Sequence, residues 1–347
     1  MNGAESLVRT LLNGDVNVCF ANPGTSEMHF VSALDRVEGV RCILGLFEGV
    51  VTGAADGYYR MAGKPAATLL HLAPGLGNGL ANLHNAKKAR SGIVNIVGEH
   101  AGYHIQYDAP LTADIEGVAR PMSDWVKTSH SAKSIAGDGA LAIEAARTAP
   151  GQIATLILPA DTAWGEADGP AQVAAPAPRA AVSSDAIARG VRALKKGKAT
   201  TLLLGSAALR GKALEWAGRI AAKTSCMLLS EFNNARIERG TGRAQVRQMS
   251  FIVERSLEML KDTRELVMVG AKLPVSFFAY PGKPSVLVPA GCDVISVASA
   301  EADLEGTLEA IARELGAGTT PPLVNPSAYD SPLPTGAVTP EKQIGRA

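Results

Sequence analysis

The sequence predicts an α/β protein of two domains with mainly parallel sheets flanked by helices. Three observations predict it. At 347 residues the chain exceeds one average domain. Short apolar runs alternate with amphipathic helical stretches, the pattern of strands buried on both faces and connected by helices. A segment dominated by Ala, Pro and Gly interrupts this alternation near the middle of the chain.

In the first half the strand-like runs are 16–20, 41–44, 67–71, 93–97 and 153–158. The Ala/Pro/Gly segment ends at Ser183-Ser184-Asp185, an N-cap signal for a helix over 186–194. A second set begins with a strand at 200–204 and a helix at 209–222. It continues through apolar runs at 227–229, 266–269, 286–288 and 294–297 and closes with a helix at 301–315. Beyond it, Pro321, Pro322, Pro326, Pro332 and Pro334 predict an extended connector. Thr339-Pro340-Glu341 carries the N-cap, N1 proline and early acid of a new helix, so a further segment is expected downstream. The expected division is a first domain over 1–165, a linker over 166–182, a central domain over 183–317 and a connector over 318–347.

Composition narrows the function classes. Lys plus Arg number 34 against 33 Asp plus Glu, and no basic run exceeds Lys87-Lys88 or Lys195-Lys196. Nothing here forms an electrostatic footprint for nucleic acid or a membrane surface. The four cysteines, Cys19, Cys42, Cys226 and Cys292, have no metal spacing and read as buried free thiols of a reducing compartment. The N-terminus lacks the basic-then-apolar order of a signal peptide, and no stretch reaches the roughly 18 apolar residues of a membrane span. A soluble cytoplasmic protein is expected.

The most informative stretch is Leu46-Phe47-Glu48-Gly49-Val50-Val51, where a lone carboxylate begins a helix of small and apolar residues. Two readings stand. Glu48 is a first-turn acid stabilised by the helix dipole, or it is a buried carboxyl whose pKa desolvation would raise, suited to sharing a proton. Two glycine-bearing segments follow strands and open helices: Asn22-Pro23-Gly24-Thr25-Ser26 and His71-Leu72-Ala73-Pro74-Gly75-Leu76-Gly77-Asn78-Gly79. Carboxyl ends of strands are where open α/β sheets bind ligands. Neither segment is a phosphate-binding fingerprint, and each alone is ordinary turn chemistry.

In combination, Asn22-Pro23-Gly24, Glu48, Ala55-Asp56-Gly57-Tyr58 and Gly75-x-Gly77-Asn78 resemble the pyrimidine-binding domain of thiamine-diphosphate-dependent enzymes, of the benzoylformate decarboxylase and acetolactate synthase large-subunit type. The resemblance is strong over residues 1–165 and looser over 183–317. It implies a pyrimidine-binding domain followed by a Rossmann-like central domain, a 2-oxo-acid decarboxylase or a carboligase, and thiamine diphosphate with Mg²⁺ as cofactors. It also implies that Glu48 activates the cofactor through its aminopyrimidine ring, that His71 transfers protons and that Thr25 stands beside the substrate carboxylate. Asn22, Pro23, Gly24, Gly75, Gly77 and Asn78 would lie against the cofactor, Asn78 on a loop. For His71 the alternative is a satisfied strand-end histidine, and for Thr25 a helix cap.

Two departures stand out. Benzoylformate decarboxylase brings a second histidine from its central domain, where this chain reads Ser276-Phe277-Phe278-Ala279-Tyr280. The Gly-Asp-Gly and Asn-Asn segment that binds diphosphate and Mg²⁺ in the family has no counterpart in these residues. Gly137-Asp138-Gly139 copies its first half without the Asn-Asn pair, and Asp138 is read as a cap for a helix over 141–147. FAD, which acetolactate synthases bind on the central domain, is not expected: Gly205-Ser206-Ala207-Ala208 and Gly270-Ala271-Lys272 are normal strand-to-helix turns. The resemblance implies a homodimer or homotetramer built through the face bearing Glu48, little activity from these residues alone, and a small 2-oxo acid as substrate. The competing expectation is a non-catalytic binding or scaffold protein descended from the same family.

Overall fold

The computed structural model describes residues 1–325 together with 336, 337 and 339. The first sheet has β1 (Val18–Asn22), β2 (Arg41–Leu44), β3 (Ala66–Leu70), β4 (Ile93–Glu99), β5 (Trp125–Thr128) and β6 (Ile153–Pro159) in the order β2-β1-β3-β4-β6-β5. The second has β7 (Thr200–Leu204), β8 (Met227–Ser230), β9 (Arg247–Gln248), β10 (Glu265–Val269) and β11 (Asp293–Ala298) in the order β11-β10-β7-β8-β9. All pairings within both sheets are parallel. The protein is therefore α/β, with two parallel sheets flanked by helices.

Parallel sheets are covered on both faces, and β3, β4 and β6 are buried along their whole length. Three polar residues, one on each strand, stand in register and satisfy one another. Thr68 Oγ1 donates to Asn95 Oδ1 at 2.8 Å, and Asn95 Nδ2 donates to Thr155 Oγ1 at 3.1 Å. A buried polar group left without such a partner would cost about 1–3 kcal/mol.

The helices that cover the first sheet include α1 (Gly3–Asn13), α2 (Met28–Arg36), α3 (Glu48–Ala62), α4 (Leu72–Ala89), α5 (Ile115–Ala119) and α6 (Ile135–Arg147). On one face α1, α2 and α6 bury Leu7, Leu11, Phe30 and Ile143 against the strands. On the other, α3, α4 and α5 bury Val51, Leu76, Leu83 and Ile115. After α7 (Ala160–Trp164), residues 167–183 form no regular element. Then α8 (Ser184–Leu194) starts with the Ser183 side chain accepting the Ala186 amide. The second sheet is flanked by α8, α9 (Gly211–Thr224), α10 (Val253–Leu260) and α11 (Leu304–Glu314). The two units touch through Arg60 and Arg236, each donating to backbone carbonyls of the other unit, and through an Arg90–Glu301 ion pair at 2.7 Å.

Several expectations are corrected. The run 286–288 is not a strand; Val286 makes only an isolated bridge with Val275. Two short strands, β5 and β9, carry too little apolar pattern to stand out; β5 is an edge strand only partly buried, and β9 is exposed. Asp138 does not cap a helix, because α6 starts at Ile135 and Asp138 lies in its first turn. Its carboxylate is taken by Lys127 at 2.6 Å and Ser129 at 2.8 Å. The proposed helix start at Pro340–Gln343 and the prolines 326, 332 and 334 lie outside the described residues. Among the described residues no helix is long and apolar enough to cross a membrane.

Candidate functional site

The sheet order brings the carboxyl ends of β2, β1, β3 and β4 side by side, and each delivers a polar residue. Strand β1 ends in Asn22, whose Nδ2 donates to the Gly45 carbonyl at 2.7 Å and so ties the loop after β1 to the loop after β2. That second loop leads into α3, whose first residue is Glu48. The first turn of a helix is a favourable place for a carboxylate because unpaired amides point toward it. Glu48 is nevertheless 8% exposed, in a turn whose neighbours Phe47 and Val50 are open to solvent.

Glu48 Oε2 accepts a hydrogen bond from Asn78 Nδ2 at 3.0 Å. Among the described residues, Oε1 makes no hydrogen bond. The free oxygen faces Gly75, where an added Cβ would stand 3.0 Å from Glu48 Oε1 and 3.3 Å from His71 Cβ. Glycine at 75 is thus what lets α4 pass between the acid and the histidine. Gly77 is different, since nothing lies within 4 Å of its Cβ position. The expected loop around Asn78 is instead helix: α4 begins at Leu72, directly after His71, and presents Gly75 and Asn78 from its first two turns.

His71 Nδ1 lies 2.8 Å from Glu27 Oε2, which also accepts the Gly24 amide at 2.7 Å. The His71 ring packs over Gly24, where a Cβ would come within 2.3 Å of it. Glu27 has a fully buried side chain, and among the described residues its Oε1 has no hydrogen-bond partner. It fits only because β4 carries Gly98, whose Cβ position lies 1.6 Å from that oxygen. The carboxylate can hold the imidazole with Nδ1 protonated, leaving Nε2 to accept or deliver a proton.

Glu27 was not legible as a site residue: its carboxylate accepts the Gly24 amide three residues back, the acid half of a capping box, but glycine has no side chain to return the bond and so gives no capping signal in the sequence. Thr25 is exposed in the short 3₁₀ turn Thr25–Glu27 and caps no helix through its side chain. Pro23 and Gly24 carry the chain from β1 into the 3₁₀ turn Thr25–Glu27. At the end of β4, burial pushes the Glu99 carboxyl up against the opposing pull of the His100 amide.

A cleft of about 430 Å³ lies between the two units, lined by residues including Arg90, Glu231, Phe232, Lys272 and Phe277. The turns after β7 and β10 meet at its floor, where a Cβ at Gly205 would stand 2.5 Å from the Gly270 carbonyl and 2.6 Å from Glu231 Oε2. Glu231 Oε1 accepts the Lys272 amide at 2.7 Å. A carboxylate beside the Gly205 turn opposes the phosphates of a dinucleotide there.

Burial raises the Glu231 pKa more than the Lys272 amide lowers it. A folded-state pKa above the unfolded one means the folded chain keeps a proton that the unfolded chain releases. Stability is therefore lost as pH climbs from the ordinary carboxylate range through the raised value. Glu231→Gln keeps an acceptor for Lys272 and removes the ionisation. It is expected to raise the melting temperature relative to the parent at neutral pH, with the gap closing as the buffer is taken below the ordinary carboxylate range. A gap independent of pH would contradict the assignment.

Residues 1–118 match the family model described as thiamine pyrophosphate enzyme, N-terminal TPP binding domain. Over these residues the chain carries the N-terminal domain of the thiamine-diphosphate enzyme family, and it is similar to that family's acetolactate synthase large-subunit and benzoylformate decarboxylase-like members. It is 50% identical over 340 residues to a Mycobacterium tuberculosis protein described as "Putative acetolactate synthase large subunit IlvX", covering 98% of this chain and 65% of that one. It is 35% identical over 143 residues to the benzoylformate decarboxylase of Pseudomonas aeruginosa, covering 41% of this chain and 27% of the relative. The fold matches the thiamine diphosphate-dependent 4-hydroxybenzoylformate decarboxylase of Rhodococcus jostii with a TM-score of 0.82 at 23% identity, over 97% of this chain and 66% of that one. This chain thus spans about two thirds of the length of such relatives.

Among the described residues no cluster of three or more His, Cys, Asp or Glu side chains could hold a metal ion. The surroundings of Glu48 fit an aminopyrimidine ring: a carboxylate oxygen without a hydrogen-bond partner among the described residues, a neighbouring amide from Asn78, and no side chain at Gly75.

Proposed function

We propose that this chain supplies the pyrimidine-binding and central domains of a thiamine-diphosphate-dependent enzyme that decarboxylates or ligates 2-oxo acids. The observation that carries this reading is Glu48, buried at the start of α3 with one oxygen held by Asn78 and the other free. Bound thiamine diphosphate supplies a nucleophilic carbon and an electron sink for the carbanion left when a 2-oxo acid loses carbon dioxide.

The residues of this chain do the rest. Glu48 Oε1 holds or shares a proton with the ring nitrogen of the aminopyrimidine, and Asn78 keeps the carboxylate aimed. His71, oriented by Glu27, moves protons at the reacting carbon or oxygen through Nε2. Thr25, exposed after β1, offers a hydroxyl to the substrate carboxylate, while Asn22, Pro23 and Gly24 lie against the cofactor together with Gly75, Gly77 and Asn78. The diphosphate and Mg²⁺ are held by groups outside the described residues. FAD has no part in the reading, consistent with the carboxylate of Glu231 at the central-domain turns.

A second copy of the chain covers the face around Glu48, supported by Leu46 at 90% exposure and by exposed Phe47 and Val50 beside it. Exposed apolar residues gathered on one face mark association surfaces. The test is carbon dioxide release from a panel of 2-oxo acids, with thiamine diphosphate and Mg²⁺ added, by the assembly isolated from its own cells. Cofactor-dependent turnover of at least one acid is expected. If no acid is consumed, the scaffold reading takes its place.

A further inference from the structure

No sequence motif links Cys19 to Cys42, but the fold does. They are direct partners in the parallel pairing of β1 and β2. Neighbouring strands lie about 4.8 Å apart, within the roughly 4.4–6.8 Å between Cα atoms that a disulfide spans. Parallel partners in register also point to the same face of the sheet. The pair is asymmetric: Cys19 is fully buried within the core beneath α1 and α2, and Cys42 is exposed on the edge strand.

We propose that Cys42 and Cys19 form a hydroperoxide-reactive dithiol, in which exposed Cys42 is oxidised first and buried Cys19 resolves it to a disulfide. The electrostatics agree with that order. The proximity of the two thiols draws Cys42 down to about 7, while that proximity and burial hold Cys19 well above the ordinary thiol range; the Cys19 Sγ itself lies 3.9 Å from the Phe20 carbonyl. Burial pushes Cys226 up to about 11, and burial with the charges of Glu265 and Asp293 raises Cys292. Thiolate character and access together select the reactive thiol, and Cys42 has both.

In the first step the Cys42 thiolate attacks an oxygen of hydrogen peroxide. An S–O bond forms, the O–O bond breaks, and the departing hydroxide takes a proton to leave as water. Cys42 is then a sulfenic acid. The Cys19 sulfur attacks the Cys42 sulfur, the S–S bond forms, the S–O bond breaks, and the second hydroxide leaves as water with the Cys19 proton. Two thiols lose two electrons and two protons, and one peroxide becomes two waters. The bridge ties β1 to β2 just upstream of Asn22 and Gly45, whose hydrogen bond joins the two loops of the candidate site.

The test exposes the full chain to hydrogen peroxide, blocks remaining thiols under denaturing conditions, and reads intact mass and peptide maps. The expected result is two blocked thiols in place of four, a loss of about 2 Da once the blocking groups are subtracted, and a cross-linked peptide pair joining Cys19 to Cys42 within one chain. At pH 7 iodoacetamide should label Cys42 on the order of tenfold faster than Cys292. The surface variant Cys42→Ser should show no mass loss. Cys19→Ala, checked for folding by circular dichroism, should carry Cys42 on to sulfinic acid. Over-oxidation of Cys42 in the parent with Cys19 still free, a bridge only between chains, or labelling of Cys42 no faster than Cys292 would each overturn the proposal.

Discussion

Glu48→Gln is expected to lower cofactor-dependent turnover of 2-oxo acids by about 10²- to 10⁴-fold, the range for removing a positioned proton-transfer group, with little change in the melting temperature. The amide still offers an oxygen to Asn78 Nδ2, so the contact at the start of α3 survives. What it loses is the ability to hold or release a proton at the oxygen facing Gly75. The two readings of this residue separate by magnitude. A first-turn acid that serves only the helix dipole is worth about 0.3–1 kcal/mol of stability and nothing in rate. Turnover at the parental level in Glu48→Gln, measured alongside an unfolding curve, would remove Glu48 from the chemistry.

Gly98→Ala is expected to destabilise the fold by about 1–3 kcal/mol, as added methyl groups in a filled core do, and to disturb His71 at the same time. The new Cβ would stand 1.6 Å from Glu27 Oε1 and 2.5 Å from its carboxyl carbon. Central strand β4 is buried along its length and cannot shift cheaply. The Glu27 carboxylate must therefore leave, breaking its bonds to the Gly24 amide and to His71 Nδ1. Urea unfolding should show a lower midpoint with an unchanged slope, and the His71 imidazole signals should move in NMR spectra. Adding Glu27→Ala removes the atoms in the way, so the double variant should be more stable than the sum of the two single losses allows. Simple additivity would mean that Gly98 and Glu27 are not coupled.

Much of the site was legible because its parts lie in short stretches whose chemistry is odd for their surroundings. Glu48 stands out as a carboxylate directly followed by small and apolar residues, and the start of α3 falls on it. Strands β3, β4 and β6 were legible for a similar reason, since unbroken apolar runs bounded by turn residues leave few alternatives. The region after β3 was misread as a loop because Pro74, Gly75 and Gly77 are turn formers by propensity. In the structure, packing of α4 against α3, with Asn82 Nδ2 donating to the Gly49 carbonyl at 2.6 Å, overrides that propensity. The run at 286–288 is apolar but finds no ladder beyond a single bridge, which is why pattern alone misassigned it.

By itself the sequence determined the class of fold, the positions of the long buried strands, and the residue at which α3 begins. Those follow from local periodicity and capping, which a stretch of chain carries with it wherever it goes. Only the tertiary structure decided that Glu27 grips His71, that Gly98 makes room for it, that Gly75 separates Glu48 from His71, and that Cys19 faces Cys42. Each of these joins residues on different strands or helices. Such contacts depend on sheet order and register, and no local pattern along the chain encodes the order β2-β1-β3-β4 that sets them side by side.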